Sequence, residues 1–527
     1  MKGPQDRRLS PGLAAAAAAV ALVALLPVVY LGVRATQGGW AKASATLWSQ
    51  RTGALLVRSL ALAAAVTVVA TTLGVVLAWV TVRGNVPGRR AWSVIAALPL
   101  AIPSYVGAFA FLSAFPGLAG FWGAWLTLTL LSYPFVYLPV TAALAGIDPA
   151  YEDVSRSFGY GPAATFRRVT LPQLRPAAAT GGLLVFLYVL SDFGAVSILR
   201  FDSFTRVIYQ AYQASFDRTP AVLLGCLLLL VTLGVVIAET RTRGRGRYWS
   251  ARSGTRRPLG DSGRPRYALA IVPVGVAVLA LGVPAATLIR WVADSAQGGV
   301  DWSRLLGAAE GSLAAASAGA VLTAAAALPV GLLAARSRGR LARSVEQASY
   351  LAHALPGIVI ALSLVFFSAR YLTPLYQRLP VLVFAYMVLF LPLAVSAVYS
   401  SAIQAPPVLE DVARTLGNRP LKAFAKVTAP LVAPGVAAAI ALVFLSGMKE
   451  LPATLLLSPT GYDTLATRVW SATSVSAFGE AAAPAAILVL AAAIPTWLLS
   501  KRRPYREVPY RTTWAGAAPG AGTMVNQ

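Results

Sequence analysis

Side chains able to do chemistry are scarce in this 527-residue chain: 19 acids, one histidine and one cysteine stand beside 45 basic residues. Charges that fall inside apolar stretches include Asp192, Lys449 and Glu450. In a membrane such charges mark either a contact that pins helices together or a transit path for a polar solute. Two acid pairs lie in polar loops, Glu152-Asp153 in "EDVSRSFGYGPAATFRRVTLP" and Glu410-Asp411 in "EDVARTLGNRPLKAFAKVTAP". Each glutamate is followed seven residues later by a glycine, Gly159 or Gly417, and then by Pro162 or Pro420. His353 sits alone beside an apolar "ALP" segment, where a packed or interfacial role outweighs metal ligation, and Cys226 excludes an internal disulfide or a multi-cysteine site. None of the six lysines completes a Gly-x-x-x-x-Gly-Lys-Ser/Thr loop, so the chain holds no phosphate-binding loop of its own. The chemistry on offer is recognition and passage, with no catalytic residue, no metal site and no bound cofactor expected.

The elements that position these residues are apolar. The chain is 57% hydrophobic and 12% charged, about half the charge of a soluble protein. Twelve stretches are long enough to span a bilayer, which takes about 20 apolar residues. They lie near 13–33, 54–82, 91–115, 121–145, 177–199 and 219–238, then near 267–289, 312–335, 346–369, 380–401, 434–457 and 481–499. The first stretch is too long for a cleaved leader and reads as a retained span. Residues 239–266, rich in Arg, Gly, Ser and Pro, read as a flexible linker. With the N-terminus inside, the inner segments carry 32 Lys and Arg and the outer ones 11, which places both termini in the cytoplasm. The net charge of +26 therefore follows the inner membrane face, and no nucleic-acid partner is needed beside membrane lipid.

The strongest structural signal is internal repetition. At an offset of 258, Glu152, Gly159, Pro162, Phe166, Pro172 and Pro176 fall on Glu410, Gly417, Pro420, Phe424, Pro430 and Pro434. Asp192 falls on Glu450 at the same offset, about 15 residues or roughly 22 Å into its span at helical rise. The fold class is therefore all-α: a polytopic membrane protein of about 12 transmembrane helices in two parallel six-helix repeats. The expected organisation is a first half at 1–238 with its loop at about 146–176, the linker at 239–266, a second half at 267–500 with its loop at about 402–433, and a tail at 501–527.

The repeated loop has a local grammar. Asp148-Pro149 can start a helix, and Val154 with Phe158, like Val412 with Leu416, gives it an apolar stripe. Gly159 and Gly417 suit a left-handed stop, Pro162 and Pro420 can open a second helix, and the later prolines are expected to break the chain before the next span. One surface loop written twice points to one soluble partner present in two copies.

This loop resembles the EAA loop of ABC importer permeases, with Glu-Asp-Val standing where the family has Glu-Ala-Ala. The resemblance covers both halves. It implies the type I ABC importer permease fold and a coupling role for Glu152, Asp153, Gly159, Glu410, Asp411 and Gly417 against a homodimeric ATP-binding subunit, which uses the ATP and Mg. It also implies an extracytoplasmic solute-binding protein and a place in the bacterial cytoplasmic membrane. Two stretches, "LSDFGAVSILRFDSFTRVIY" from Leu190 and "MKELPATLLLSPTGYDTLATRVW" from Met448, resemble the ferric iron permeases. Import of thiamine or another small solute is the alternative, and a 12-helix secondary transporter would not need the duplicated loop. Asp192, Lys449 and Glu450 are the candidate substrate path, with pairing of Lys449 to a nearby acid as the purely structural alternative.

Overall fold

A computed structural model describes residues 11–84, 86–148, 150–214, 217–242, 266–299, 301–337, 339–351 and 356–501. Most of the expected linker, the tail beyond residue 501 and His353 lie outside the described residues.

In the first half, α1 (Pro11–Thr36) and the short α2 (Trp40–Leu47) lead to α3 (Gln50–Val82), whose start is capped by the Ser49 hydroxyl accepting from the Thr52 N–H. Next come α4 (Arg89–Ile95) and α5 (Ser104–Ala114). The path bends by 95° between Ala91–Ala101 and Ser104–Ala114, at Pro103, whose ring supplies no N–H to carry a helix through. Then α6 (Phe121–Ser132) and α7 (Pro134–Gly146) form one apolar stretch, and α8 (Ala150–Ser157) is the short loop helix. It is followed by α9 (Pro162–Thr165), a π turn at Phe166–Thr170, α10 (Leu171–Ser191), α11 (Gly194–Ile198), α12 (Phe204–Ala214) and α13 (Thr219–Thr242).

The second half repeats this order. It opens with α14 (Arg266–Ala277) and α15 (Val283–Gly298), and then α16 (Trp302–Arg336), capped by Asp301 accepting from the Arg304 N–H. There follow α17 (Arg340–Leu351), α18 (Gly357–Tyr371), α19 (Leu379–Ala402) and the loop helix α20 (Pro407–Thr415). After α21 (Pro420–Ala423) a π turn at Phe424–Thr428, the counterpart of the one at Phe166–Thr170, leads into α22 (Ala429–Met448), then α23 (Pro452–Leu457), α24 (Leu465–Ser474) and α25 (Phe478–Lys501).

Among the described residues, nine helical stretches are long and apolar enough to cross a membrane. The bent α4–α5 pair and the shorter apolar helices Gly357–Tyr371 and Phe478–Ala493 account for the remaining expected spans. Two expectations are corrected. The loop prolines do not separate the loop from the next span: Pro162–Ser191 and Pro420–Met448 each run as one stretch. The π turn widens the helix just before Pro172 and Pro430, which then sit in the first turn of α10 and α22, where a missing N–H is tolerated. The fifth spans are also shorter than expected. They stop at Ser191 and Met448, not near 199 and 457, because the acid that follows leaves the helical path.

Packing crosses between the two sequence halves. One core joins Val66, Phe109 and Tyr137 of the first half to Leu288, Ala481 and Leu488 of the second. Another joins Leu31, Val222 and Leu228 to Ile358, Leu362 and Leu382. Helix α1 lies on the second half, with Ser363 donating to the Pro27 carbonyl at 2.6 Å and Tyr30 set edge-on to Phe367. In return, Trp291 of α15 donates through its indole N–H to Ser113 of α5. Small residues allow the close approach: Ala17, Ala21 and Ala24 are buried in one cluster with Ala320, Ala324 and Ala327. Dispersion between closely approaching backbones is what holds helices together where lipid removes the hydrophobic drive.

Candidate functional site

The loop glutamates point inward. Glu152 and Glu410 keep 5% and 7% of their surface exposed. Thr170, at the end of the first π turn, donates its hydroxyl to Glu152 Oε1 at 3.1 Å, and Thr428 donates to Glu410 Oε2 at 3.1 Å. A cation from the end of the second span completes each cluster. Arg83 Nε lies 3.3 Å from Glu152 Oε1, an ion pair not aligned as a hydrogen bond, while its Nη2 donates to the Ile147 carbonyl at 3.0 Å. Arg336 Nη2 donates to Glu410 Oε2 at 2.9 Å and to the Thr428 hydroxyl at 3.2 Å. Arg414 adds a contact at 3.0 Å from one turn along the loop helix, and Arg156 approaches Glu152 at 4.0 Å. A carboxylate taken out of water needs this number of donors to offset its desolvation.

The apolar stripe faces the other way. Phe158 and Leu416 are each 76% exposed, and Tyr151, Val154, Val408 and Val412 are exposed beside them. Gly159 and Gly417 both take φ +83°, the left-handed stop expected of them. In the first copy the Ser155 and Thr165 hydroxyls, 3.0 Å apart, tie α8 to α9, and in the second the Asn418 amide donates to the Ala413 carbonyl at 3.0 Å. Asp153 is exposed, whereas Asp411 is half-buried. Sequence reasoning missed Arg83 and Arg336. Their signal is a basic residue at the end of the second span in both copies.

The intramembrane acids sit at helix breaks. Asp192 Oδ1 accepts the first-turn N–H groups of Ala195 at 3.0 Å and Val196 at 3.3 Å, and its carbonyl accepts from the Thr205 hydroxyl at 2.5 Å. Glu450 Oε1 accepts the Ala453 N–H at 3.1 Å, and its carbonyl accepts from the Thr454 hydroxyl at 2.8 Å. Each carboxylate thus serves the positive end of a short helix, α11 or α23. The third spans close on these breaks: a Cβ on Gly357 would fall 2.9 Å from Glu450 Oε1, and one on Gly194 would fall 2.7 Å from Tyr105 Cβ. Lys449 is bonded to the backbone of another helix. Its ammonium donates to the Leu100 carbonyl at 3.2 Å, across to the first half. Asp192 is buried, while Lys449 and Glu450 are half-buried. Among the described residues, no group of three or more His, Cys, Asp or Glu is placed to hold a metal.

Cavities lie among the described residues on the face opposite the loops. One of about 340 Å³ is lined by Asp301, Arg304, Arg468 and Glu480, and one of about 380 Å³ by Arg51, Arg58 and Asp202. The repeated Thr-Arg-Val stretch supplies an arginine beside each: Arg206 pairs with Asp202 at 2.6 Å and Arg468 with Asp463 at 3.9 Å. The Asp301 carboxyl is held below its usual range by the Ser303 hydroxyl and then by the Arg304 N–H.

An all-helical chain of two repeated halves, with a buried-glutamate loop on one face of each and a broken fifth span in its core, has the architecture of a polytopic transport permease. The family model for the binding-protein-dependent transport system inner membrane component matches residues 70–241 and again 327–500, and the chain belongs to that family. It is 37% identical to the Fe(3+)-transport system permease protein FbpB 2 of Haemophilus influenzae over 92% of this chain and 96% of that one. It is 25% identical to the probable ABC transporter permease protein y4fN of Sinorhizobium fredii over 78% of this chain and 80% of that one. The sulfate transport system permease protein CysT of Salmonella typhimurium matches at 27% identity over 45% of this chain and 96% of its own length.

Proposed function

We propose that this permease imports ferric iron, handed over by an extracytoplasmic binding protein and driven by a separate ATPase. One observation carries the reading: the similarity to an Fe(3+)-transport permease spans both halves in one chain, whereas the similarity to a sulfate permease spans one half's length. The membrane physics supports it. A bare trivalent ion cannot enter hydrocarbon, and a gated path between two helix bundles avoids that cost.

In this reading residues 1–238 and 267–500 are the two permease halves, joined by the linker at 239–266 and followed by the tail at 501–527, with both termini in the cytoplasm. The loop face is then cytoplasmic. The exposed stripes around Phe158 and Leu416 dock the two copies of a homodimeric ATPase, which binds the ATP and Mg. Glu152 and Glu410 serve the coupling from inside the loop, and Asp153 and Asp411 flank the contact. The two arginine-lined cavities of the opposite face receive the binding protein. Asp192, Lys449 and Glu450 border the path, Lys449 and Glu450 as its half-buried polar contacts and Asp192 as the buried support of one wall.

The test is reconstitution of the permease in vesicles with its cognate ATPase and binding protein. Labelled ferric iron should accumulate with ATP inside and continue to accumulate in the presence of a protonophore. Uptake of thiamine or sulfate without iron would reassign the solute. Proton-driven uptake without any ATPase would remove the import mechanism.

A further inference from the structure

Helices α3 and α16 are tied at two points in the same way. Near one end, the Ser59 hydroxyl accepts the Phe204 N–H at 3.1 Å and the Ser312 hydroxyl accepts the Leu465 N–H at 2.7 Å. Phe204 and Leu465 are the first residues of α12 and α24, on the face that carries the arginine-lined cavities. At the other end, 24 residues later in both copies, Arg83 and Arg336 hold the loop glutamates. The interval corresponds to about 36 Å of helix. Between these points α16 touches the core break: a Cβ on Gly447, three residues before Glu450, would meet Ala316 at 3.4 Å.

We propose that α3 and α16 are paired levers, with Arg83 and Arg336 as the positioning residues that transmit movement of the loop helices to the opposite face. The proposal rests on the docking reading given above and adds how docking is converted into movement. Each loop helix has two sides with separate tasks. Its outer stripe is free to meet the ATPase, while its inward glutamate is held by the lever's arginine and by the threonine that begins the fifth span. A shift of the loop helix therefore pulls on the second and fifth spans together. The serine contact carries the shift to α12 or α24. Two arrangements of a helix held at two points 24 residues apart are the physical basis for coupling over such a distance.

The experiment uses the reconstituted permease–ATPase complex with the cognate binding protein and labelled ferric iron, and it measures ATP hydrolysed per iron imported. Loss of correctly folded complex lowers both rates alike and leaves that ratio unchanged, so the ratio separates transmission from stability. Arg83→Gln with Arg336→Gln should leave the ATPase bound and raise the ratio about tenfold, with Lys in place of Gln giving a smaller rise. Ser59→Ala with Ser312→Ala, far from the docking face, should raise the ratio in the same direction. This second pair decides the matter if the first inserts poorly. A wild-type ratio in either purified pair overturns the levers. Release of the ATPase by the Arg pair also overturns them and leaves the docking reading intact. The docking reading itself fails, separately, if Phe158→Asp with Leu416→Asp keeps the ATPase bound.

Discussion

The hydroxyl of Thr428 donates to the carboxylate of Glu410 at 3.1 Å, and the partners are 18 residues apart on either side of a left-handed glycine turn. Thr170 and Glu152 repeat the contact at the same distance and separation. The loop glutamate is thus a buried anchor, and the surface offered to a partner is the apolar side of the same short helix.

Gly159 and Gly417 are required for their backbone conformation and not for lack of room, since a Cβ at either would meet nothing within 4 Å. Gly159→Asn with Gly417→Asn should retain uptake within about threefold, because Asn visits this region readily, whereas the Val pair should abolish it at about 1–3 kcal/mol of strain per site. Uptake measured beside membrane yield checks this. Equal behaviour of the Asn and Val pairs would show that conformation is not the constraint.

The exposed stripe should be an adhesive surface. Phe158→Asp with Leu416→Asp replaces two side chains that are each 76% exposed, so the isolated permease should keep its thermal stability within about 0.5 kcal/mol. Co-purification of the ATPase should nevertheless fall by tenfold or more, in line with the loss of about 1.4 kcal/mol or more at a central apolar contact.

A methyl group at Gly357 should displace Glu450. Alanine would place its Cβ 2.9 Å from Glu450 Oε1, the end of a side chain that can swing aside by giving up its bond to the Ala453 N–H, at a cost of about 0.5–1.5 kcal/mol. The detergent melting temperature should fall for Gly357→Ala. The fall should shrink in the combination with Glu450→Ala, which removes the obstructing atoms.

Lys449→Met should cost about 1–3 kcal/mol by leaving the Leu100 carbonyl without its donor. Neutralising Glu450 as well should not restore stability, because the ammonium is turned to a carbonyl and not to that acid. Recovery of the melting temperature in Lys449→Met with Glu450→Gln would show that the two charges balance each other.

Reporter fusions test the orientation drawn from charge. Fusions at Gly159 and Gly254 should report the cytoplasm and one at Gln297 the outside. An inverted pattern would overturn the placement of the loop face.

Much of the architecture was determined by the sequence alone. Hydropathy located the spans because hydrocarbon thickness sets their length. The offset of 258 between the two loops announced the doubled fold, and the loop glycines announced their own backbone conformation, because a left-handed stop is chiefly a local property. The inward turn of Glu152 and Glu410 was not legible. A short amphipathic helix can offer either its charged or its apolar side to the bundle, and the choice is made by Arg83 and Arg336, 69 and 74 residues away in the chain. The helix breaks at Asp192 and Glu450 were hidden for a related reason: the apolar composition continues past the acid, and the third spans that close on the breaks, with Tyr105 against Gly194 and Gly357 against Glu450, are distant in sequence. The crossing of α1 and α15 onto opposite halves left no trace in hydropathy either, because lipid and a neighbouring helix are equally apolar surroundings. Tertiary structure alone decided which small residues would meet which, since packing at close range depends on the shapes of both partners.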